Sequence, residues 1–109
     1  MKIFSFFAGV GMLDLGFQEA GYEVVFVNEY KQEFMNAYRY ARRGRNYNQP
    51  VYGYHVTDIN YFLNGIGEHN FQQYINNERH NNELVGFIGA PPCPDFSIGG
   101  KNKGREGEN

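Results

Sequence analysis

The order of periodicities along this chain predicts an α/β fold of three layers, a parallel sheet with helices packed on both faces. Three observations carry that expectation. Short apolar runs of strand length alternate with segments whose apolar residues recur at helical spacing. The alternation runs strand-helix-strand-helix-strand-helix-strand, which calls for parallel strands joined by right-handed crossovers. Hydrophobic residues make up 41% and charged residues 20% of the 109 positions, the profile of a chain that buries a core rather than one that stays disordered. The length suits one small domain with a modest core.

Taken in order, Lys2 to Phe7 is a mostly apolar run ending at Ala8-Gly9, a buried strand followed by a tight turn. From Met12 the period changes. Leu13, Gly16, Phe17 and Ala20 fall at i, i+3, i+4 and i+7, which predicts a helix with those four on its inner face. Gly21 is placed to end it. Glu23 to Val27 reads as the second strand, with Asn28-Glu29 just past its end. Lys31 to Arg43 is a second amphipathic helix, with Phe34, Ala37, Tyr38 and Ala41 on one side. Its last turn holds Arg39, Arg42 and Arg43, cations that suit the helix dipole there. Gly44 to Pro50 is a loop, and Tyr52 to Val56 a short third strand leading to Thr57-Asp58-Ile59. Phe71, Tyr74 and Ile75 mark a third helix, Leu84 to Ile88 the last strand, and the chain after Gly89 is irregular.

Composition narrows the function. The net charge is -2, so the chain as a whole is no electrostatic glove for nucleic acid, although DNA as substrate of a larger assembly stays open. Its single cysteine, Cys93, allows no internal disulfide and suits a reducing, cytoplasmic setting. No apolar run reaches membrane-spanning length and no signal peptide is recognisable. The ten Phe, nine Tyr and many Asn form no repeat, so they are a bias in usage. Met1 reads as a native start. The tail from Gly100 to Asn109 lacks a terminating element, which points to a truncated gene, a split gene or a designed chain.

In a doubly wound sheet, ligands bind outside the carboxyl ends of the strands, and four candidate sites follow predicted strands at that edge. Phe7-Ala8-Gly9-Val10-Gly11 joins the first strand to the first helix. Its glycines permit positive φ and close approach of a ligand to the free N–H groups of the helix; the plain alternative is a strand-helix turn. The dinucleotide fingerprint needs a third glycine where Asp14 stands, so a cofactor with an amino-acid portion and no phosphate fits better. Glu29, 18 residues after Gly11, can accept hydrogen bonds from both hydroxyls of a ribose, or be a solvated charge at a helix start. Asp58 can accept from an adenine amino group, or bond its own backbone. Gly89-Ala90-Pro91-Pro92-Cys93-Pro94-Asp95-Phe96-Ser97-Ile98-Gly99-Gly100 holds the cysteine between prolines just past a strand. That setting favours a reactive thiolate over a buried structural thiol.

These residues closely resemble the DNA (cytosine-5) methyltransferase family, over nearly the whole chain. Phe7 to Gly11 resembles its S-adenosylmethionine loop, Glu29 its acidic ribose ligand, and Asp58-Ile59 the segment at the adenine. Pro91-Pro92-Cys93 with Phe96-Ser97 and the pair Gly99-Gly100 resembles its catalytic loop. The resemblance implies a Rossmann-like methyltransferase fold in which residues 1–98 are part of the cofactor-binding catalytic domain and 99–109 a mobile piece of the catalytic loop. It implies that the Cys93 thiolate adds to carbon 6 of a cytosine flipped out of double-stranded DNA, so that carbon 5 takes the methyl group of S-adenosylmethionine. Phe7, Ala8, Gly9, Val10, Gly11, Glu29, Asp58, Ile59 and Pro91 would bind the cofactor, and Phe96, Ser97, Gly99 and Gly100 would face the DNA. No metal is implied. The encoded enzyme would be bacterial or phage-borne and cytoplasmic.

Pro94-Asp95 stands where the family often has Gln after the cysteine. The family's Glu-Asn-Val segment, which protonates the cytosine ring, its arginine-bearing segment and its target-recognition part do not occur in residues 1–109. The chain alone is therefore expected to be inactive, with a complementary C-terminal polypeptide as its partner. Two other readings compete. A nucleotide-dependent oxidoreductase is opposed by Asp14 and by the Pro-Pro-Cys loop. A non-catalytic subunit or relic of a split methyltransferase is opposed only by the completeness of the motifs.

Overall fold

The two central strands are buried on both faces, as those of a covered parallel sheet must be, whereas the two edge strands are only partly covered. In β1 (Lys2–Phe6) the last four of five residues are buried, and in β2 (Glu23–Glu29) the last six of seven. The computed structural model describes residues 1–89. After those strands come α1 (Met12–Glu19) between them, α2 (Gln32–Ala41), β3 (Tyr54–Val56), α3 (Asn60–Leu63), α4 (Glu68–His80) and β4 (Val85–Gly89). The strands pair in the order β3-β2-β1-β4, all parallel. The predicted α/β architecture is therefore the observed one. A division at residue 98 and a mobile segment 99–109 fall outside the described residues.

Two cores sit on opposite faces of the sheet. Ile3, Val24 and Val27 meet Phe17 of α1 and Met35 and Tyr38 of α2 on one side. Phe4, Phe6, Val25 and Phe26 meet Phe62 of α3 and Phe71 of α4 on the other. The second layer explains the Phe-rich composition: Phe4–Phe71 and Phe26–Phe62 cross edge to face at 5.8 and 5.1 Å. Such pairs add about 0.5–1.5 kcal/mol each beyond the area they bury.

The continuous run Val24-Val25-Phe26-Val27 cannot alternate strictly between the faces. The register resolves this with a bulge, since Ile3 pairs with Val24 and Phe4 with Phe26. Val25 is the extra residue and joins Phe26 on the aromatic side, while its carbonyl accepts the Tyr52 N–H at 2.8 Å. Irregular pairing of this kind bends a strand and increases its twist.

Helix α1 ends as Gly21 predicts. With φ at +95°, Gly21 lets its own N–H reach the Gln18 carbonyl and the Tyr22 N–H reach Phe17, a Schellman closure sealed by the Phe17 and Tyr22 rings.

The inner faces of both early helices differ from the sequence expectation. Leu13 is 44% exposed and Gly16 and Ala20 are also outside, whereas Asp14 is 1% exposed and Phe17 packs inward. Two hydroxyls, from Ser5 and Tyr38, turn the acid inward and set the phase of α1. In α2 the buried residues are Met35 and Tyr38, while Phe34 and Ala41 are exposed. Tyr38 fixes that phase through the same hydrogen bond to Asp14. The short helix α3 was not legible in the pattern, and α4 carries the expected Phe71, Tyr74 and Ile75. Among the described residues no helix is long and apolar enough to cross a membrane.

Candidate functional site

Strand order reverses beside β1: the chain moves outward to β2 and β3, then returns to the other side as β4. The carboxyl edge near that reversal is where ligands bind in such sheets. The turn leaving β1 has an unusual backbone. Phe7, Gly9 and Gly11 have φ values of +52°, +58° and +88°, and for Phe7 that conformation costs on the order of 1–2 kcal/mol. The turn is tied down by Ala8 N–H donating to the Asn28 carbonyl at 3.1 Å and Gly11 N–H to Ala8 at 2.9 Å.

The two glycines do different things. A Cβ on Gly9 would meet nothing within 4 Å, whereas one on Gly11 would lie 2.5 Å from the Tyr38 ring. Gly11 is thus a packing glycine. Behind it, Asp14 accepts from the Ser5 hydroxyl at 2.8 Å and from the Tyr38 hydroxyl at 2.6 Å. Arg42 lies over the Tyr38 ring at 3.7 Å and donates to the Gly11 carbonyl at 3.0 Å. Burial, then the Asp14 charge, pushes the Tyr38 phenol far above its ordinary range, so it stays a neutral donor. Asp14 therefore belongs to the support of the turn and not to a ligand surface.

Glu29 ends β2 and is 7% exposed. One carboxylate oxygen accepts the Gly9 N–H at 2.8 Å, the other the Lys31 N–H at 2.9 Å. Each oxygen keeps a second lone pair. Next to it, the buried Asn28 amide donates to the carbonyls of His55 and Thr57 at 3.2 and 2.9 Å. This clasp holds the segment after β3 against β2. There Asp58 is exposed, with one oxygen on the Asn60 N–H at 2.8 Å.

A cleft of about 400 Å³ opens between these parts, lined by Phe7, Gly9, Glu29, Phe34, Asp58 and Ile59 among others. Five residues read from the sequence as ligand-binding are thus gathered: Phe7, Gly9, Glu29, Asp58 and Ile59. Three are placed elsewhere. Ala8 is in the core, Gly11 is covered by Tyr38, and Val10, 45% exposed, does not line the cleft. Pro91, Cys93, Phe96, Ser97, Gly99 and Gly100 lie outside the described residues. The sequence reading missed Asn28 and Phe34; the Asn-Glu pair ending a buried strand was the available signal for Asn28.

Comparison with known proteins decides the family. The C-5 cytosine-specific DNA methylase family matches residues 1–109. The chain belongs to the C-5 cytosine-specific DNA methylases. It is 48% identical over 107 residues to the Type II methyltransferase M.NmeDI of Neisseria meningitidis serogroup C, covering 98% of this chain and 26% of that protein. It is 34% identical over 104 residues to M.NgoPII of Neisseria gonorrhoeae, covering 95% of this chain and 25% of that protein. M.HgiGI of Herpetosiphon aurantiacus is 29% identical over 101 residues, which make up 66% of its length. The chain thus spans about a quarter of M.NmeDI and M.NgoPII. No solved structure matches this C-5 cytosine-specific DNA methylase significantly.

Proposed function

We propose that this chain is the cofactor-binding, nucleophile-bearing part of an enzyme that methylates carbon 5 of cytosine in double-stranded DNA, with S-adenosylmethionine as methyl donor. The observation that carries the reading is the buried Glu29 carboxylate facing a cleft beside Gly9. Its free lone pairs suit the two hydroxyls of a ribose. The open space at the Gly9 α-carbon lets a ligand come against the backbone, and Phe7, Phe34 and Ile59 supply apolar surface for an adenine. Asp58 has a second oxygen free to accept from the adenine amino group.

Charge argues for the same ligand. Two carboxylates, Glu29 and Asp58, line the cleft against one cation, Lys31, a net negative lining that suits a sulfonium cation better than a pyrophosphate. This disfavours a nicotinamide dinucleotide and with it the oxidoreductase reading. When bound, S-adenosylmethionine supplies an electrophilic methyl group. This chain's residues would do the rest of the positioning. Glu29 orients the ribose, Asp58 and Ile59 the base, and the Asp14–Tyr38–Arg42 network keeps the glycine turn in shape.

Cys93 follows the last residue of β4 by four positions. In this reading its thiolate adds to carbon 6 of a flipped cytosine, which makes carbon 5 nucleophilic toward the methyl group. Loss of the carbon-5 proton and of the thiol restores the ring. Pro91 sits with the cofactor, and Phe96, Ser97, Gly99 and Gly100 with the DNA. The acid for the ring nitrogen comes from outside residues 1–109, whether from a continuation of the chain or from a complementary polypeptide, and the enzyme works in the cytoplasm of a bacterium. The test is transfer of labelled methyl groups to DNA by the purified chain, alone and mixed with a polypeptide carrying the later segments of a homologous enzyme. Transfer should appear only in the mixture and vanish with Cys93→Ser. Robust transfer by the chain alone, or transfer that survives Cys93→Ser, would overturn the assignment.

A further inference from the structure

Charge is distributed unevenly on this acidic chain. From Phe34 to Thr57 there is no Asp or Glu, yet Arg39, Arg42, Arg43 and Arg45 fall within seven residues. Elsewhere six cations face twelve acids. Two of the four arginines have internal duties. Arg42 donates to Gln18, Tyr38 and Gly11, and Arg45 donates to the Ala41 carbonyl with Glu19 at 3.8 Å.

Arg39 and Arg43 are different. Both are exposed, and among the described residues neither forms an ion pair. Their guanidinium groups lie over aromatic rings, Arg39 on Tyr54 at 4.8 Å and Arg43 on Tyr40 at 5.5 Å. Stacking restrains the side chains while leaving the N–H forks free to bind an anion. A groove of about 440 Å³ runs between them, lined also by Asn36 and Gln49 and by no aliphatic side chain.

We propose that this groove binds the phosphate backbone of duplex DNA, independently of sequence and away from the target cytosine. Guanidinium forks bind phosphate oxygens bidentately, and neutral amides and phenols complete the contacts. Apart from two phenol rings the lining is cationic or amide, more polar than the apolar centre of a protein interface. The site is distinct from the cofactor cleft. Lys31 and Phe34 at the start of α2 line that cleft, whereas Arg39 and Arg43 of the groove follow Phe34 by five and nine residues, about 8 and 13 Å along the chain at helical rise. It also adjoins β3, the opposite edge of the sheet from β4, which leads to Cys93.

The test needs neither cofactor nor methyl transfer, so its failure would leave the proposed function standing. A labelled duplex of arbitrary sequence is titrated with the 109-residue chain over a KCl series, following fluorescence anisotropy. The variant Arg39→Gln/Arg43→Gln makes no change to internal hydrogen bonds and should fold normally by circular dichroism. It should bind about tenfold more weakly at low salt, and its log-log salt slope should flatten by about two, one lost phosphate contact per arginine. The same loss should appear in a chain already carrying Lys101→Gln/Lys103→Gln/Arg105→Gln. Absence of DNA binding by the wild-type chain would overturn the proposal, as would wild-type affinity in the arginine variant or complete loss from the lysine-arginine substitutions alone. So would a sedimentation experiment in which the arginine pair controls self-association while DNA binding is unchanged.

Discussion

Gly9 and Gly11 have the same residue type, the same sign of φ and the same loop, yet substitution should separate them. At Gly9 a methyl group meets open cleft, so Gly9→Ala should cost the fold only about 1–2 kcal/mol for its left-handed backbone. It should still abolish most ligand affinity, because the methyl occupies the space the ligand needs. At Gly11 the methyl would strike the Tyr38 ring and the Arg42 guanidinium. Gly11→Ala should therefore add overpacking of about 1–3 kcal/mol to the backbone cost. Urea denaturation and ligand titration on both variants check the contrast, and equal losses of stability would contradict it. The sequence showed that both positions needed glycine. It did not show that only one faces the cleft, because that depends on where a tyrosine 27 positions later comes to rest.

At the scale of elements, the elements that position the cleft are joined by single side chains. The Asn28 amide ties His55 of β3 and Thr57 just after it to β2, through two carbonyls. Asn28→Asp keeps the shape but removes both donors and faces the carbonyls with an acceptor. Leaving such groups unpaired costs about 1–3 kcal/mol, and hydrogen exchange should show residues 54–59 opening while β1 and β4 stay protected. Uniform loss of protection would mean that Asn28 matters to the whole sheet instead. Strand positions and the Gly21 stop were legible because they follow from local pattern. The inner faces of α1 and α2 were not. A periodicity that counts apolar residues cannot foresee a buried acid, and Asp14 with its partners Ser5 and Tyr38 outweighed the Leu13 and Phe34 stripes. Asp58 shows its plain reading, with one oxygen on the backbone N–H of Asn60, while its side chain also lines the cleft.

For the whole molecule, three of the four tyrosines with raised phenol pKa values, those raised chiefly by burial, make a pH prediction. Burial, the largest cause in each, raises Tyr38 and Tyr54, and raises Tyr52 to about 12, with its hydrogen bond to Glu78 adding to the effect. In the unfolded chain these phenols titrate near 10.0. Protonated in both states, they favour neither below that pH. Above it the unfolded chain ionises first, so stability is fully present below pH 10 and lost as pH rises toward the folded-state values. Thermal unfolding should fall steeply between pH 10 and 12, and less so in Tyr52→Phe. An identical alkaline slope in that variant would remove Tyr52 from the explanation. The overall architecture was legible because alternating strand and helix patterns leave few topologies. The chemistry at Cys93 rests on the sequence motif and the family to which the chain belongs.

The central claim is that the cleft beside Glu29 holds S-adenosylmethionine, and calorimetric titration of that molecule into the wild-type chain and into Glu29→Gln tests it most directly. The glutamine keeps an acceptor for one backbone N–H but loses the charge and an oxygen. Binding to the wild-type chain should be measurable and should resist competition by nicotinamide dinucleotides. In Glu29→Gln it should weaken by about 1.5–3 kcal/mol, the range for hydrogen bonds to a charged group. Unchanged affinity in that variant, or displacement by a dinucleotide at similar concentration, would contradict the account.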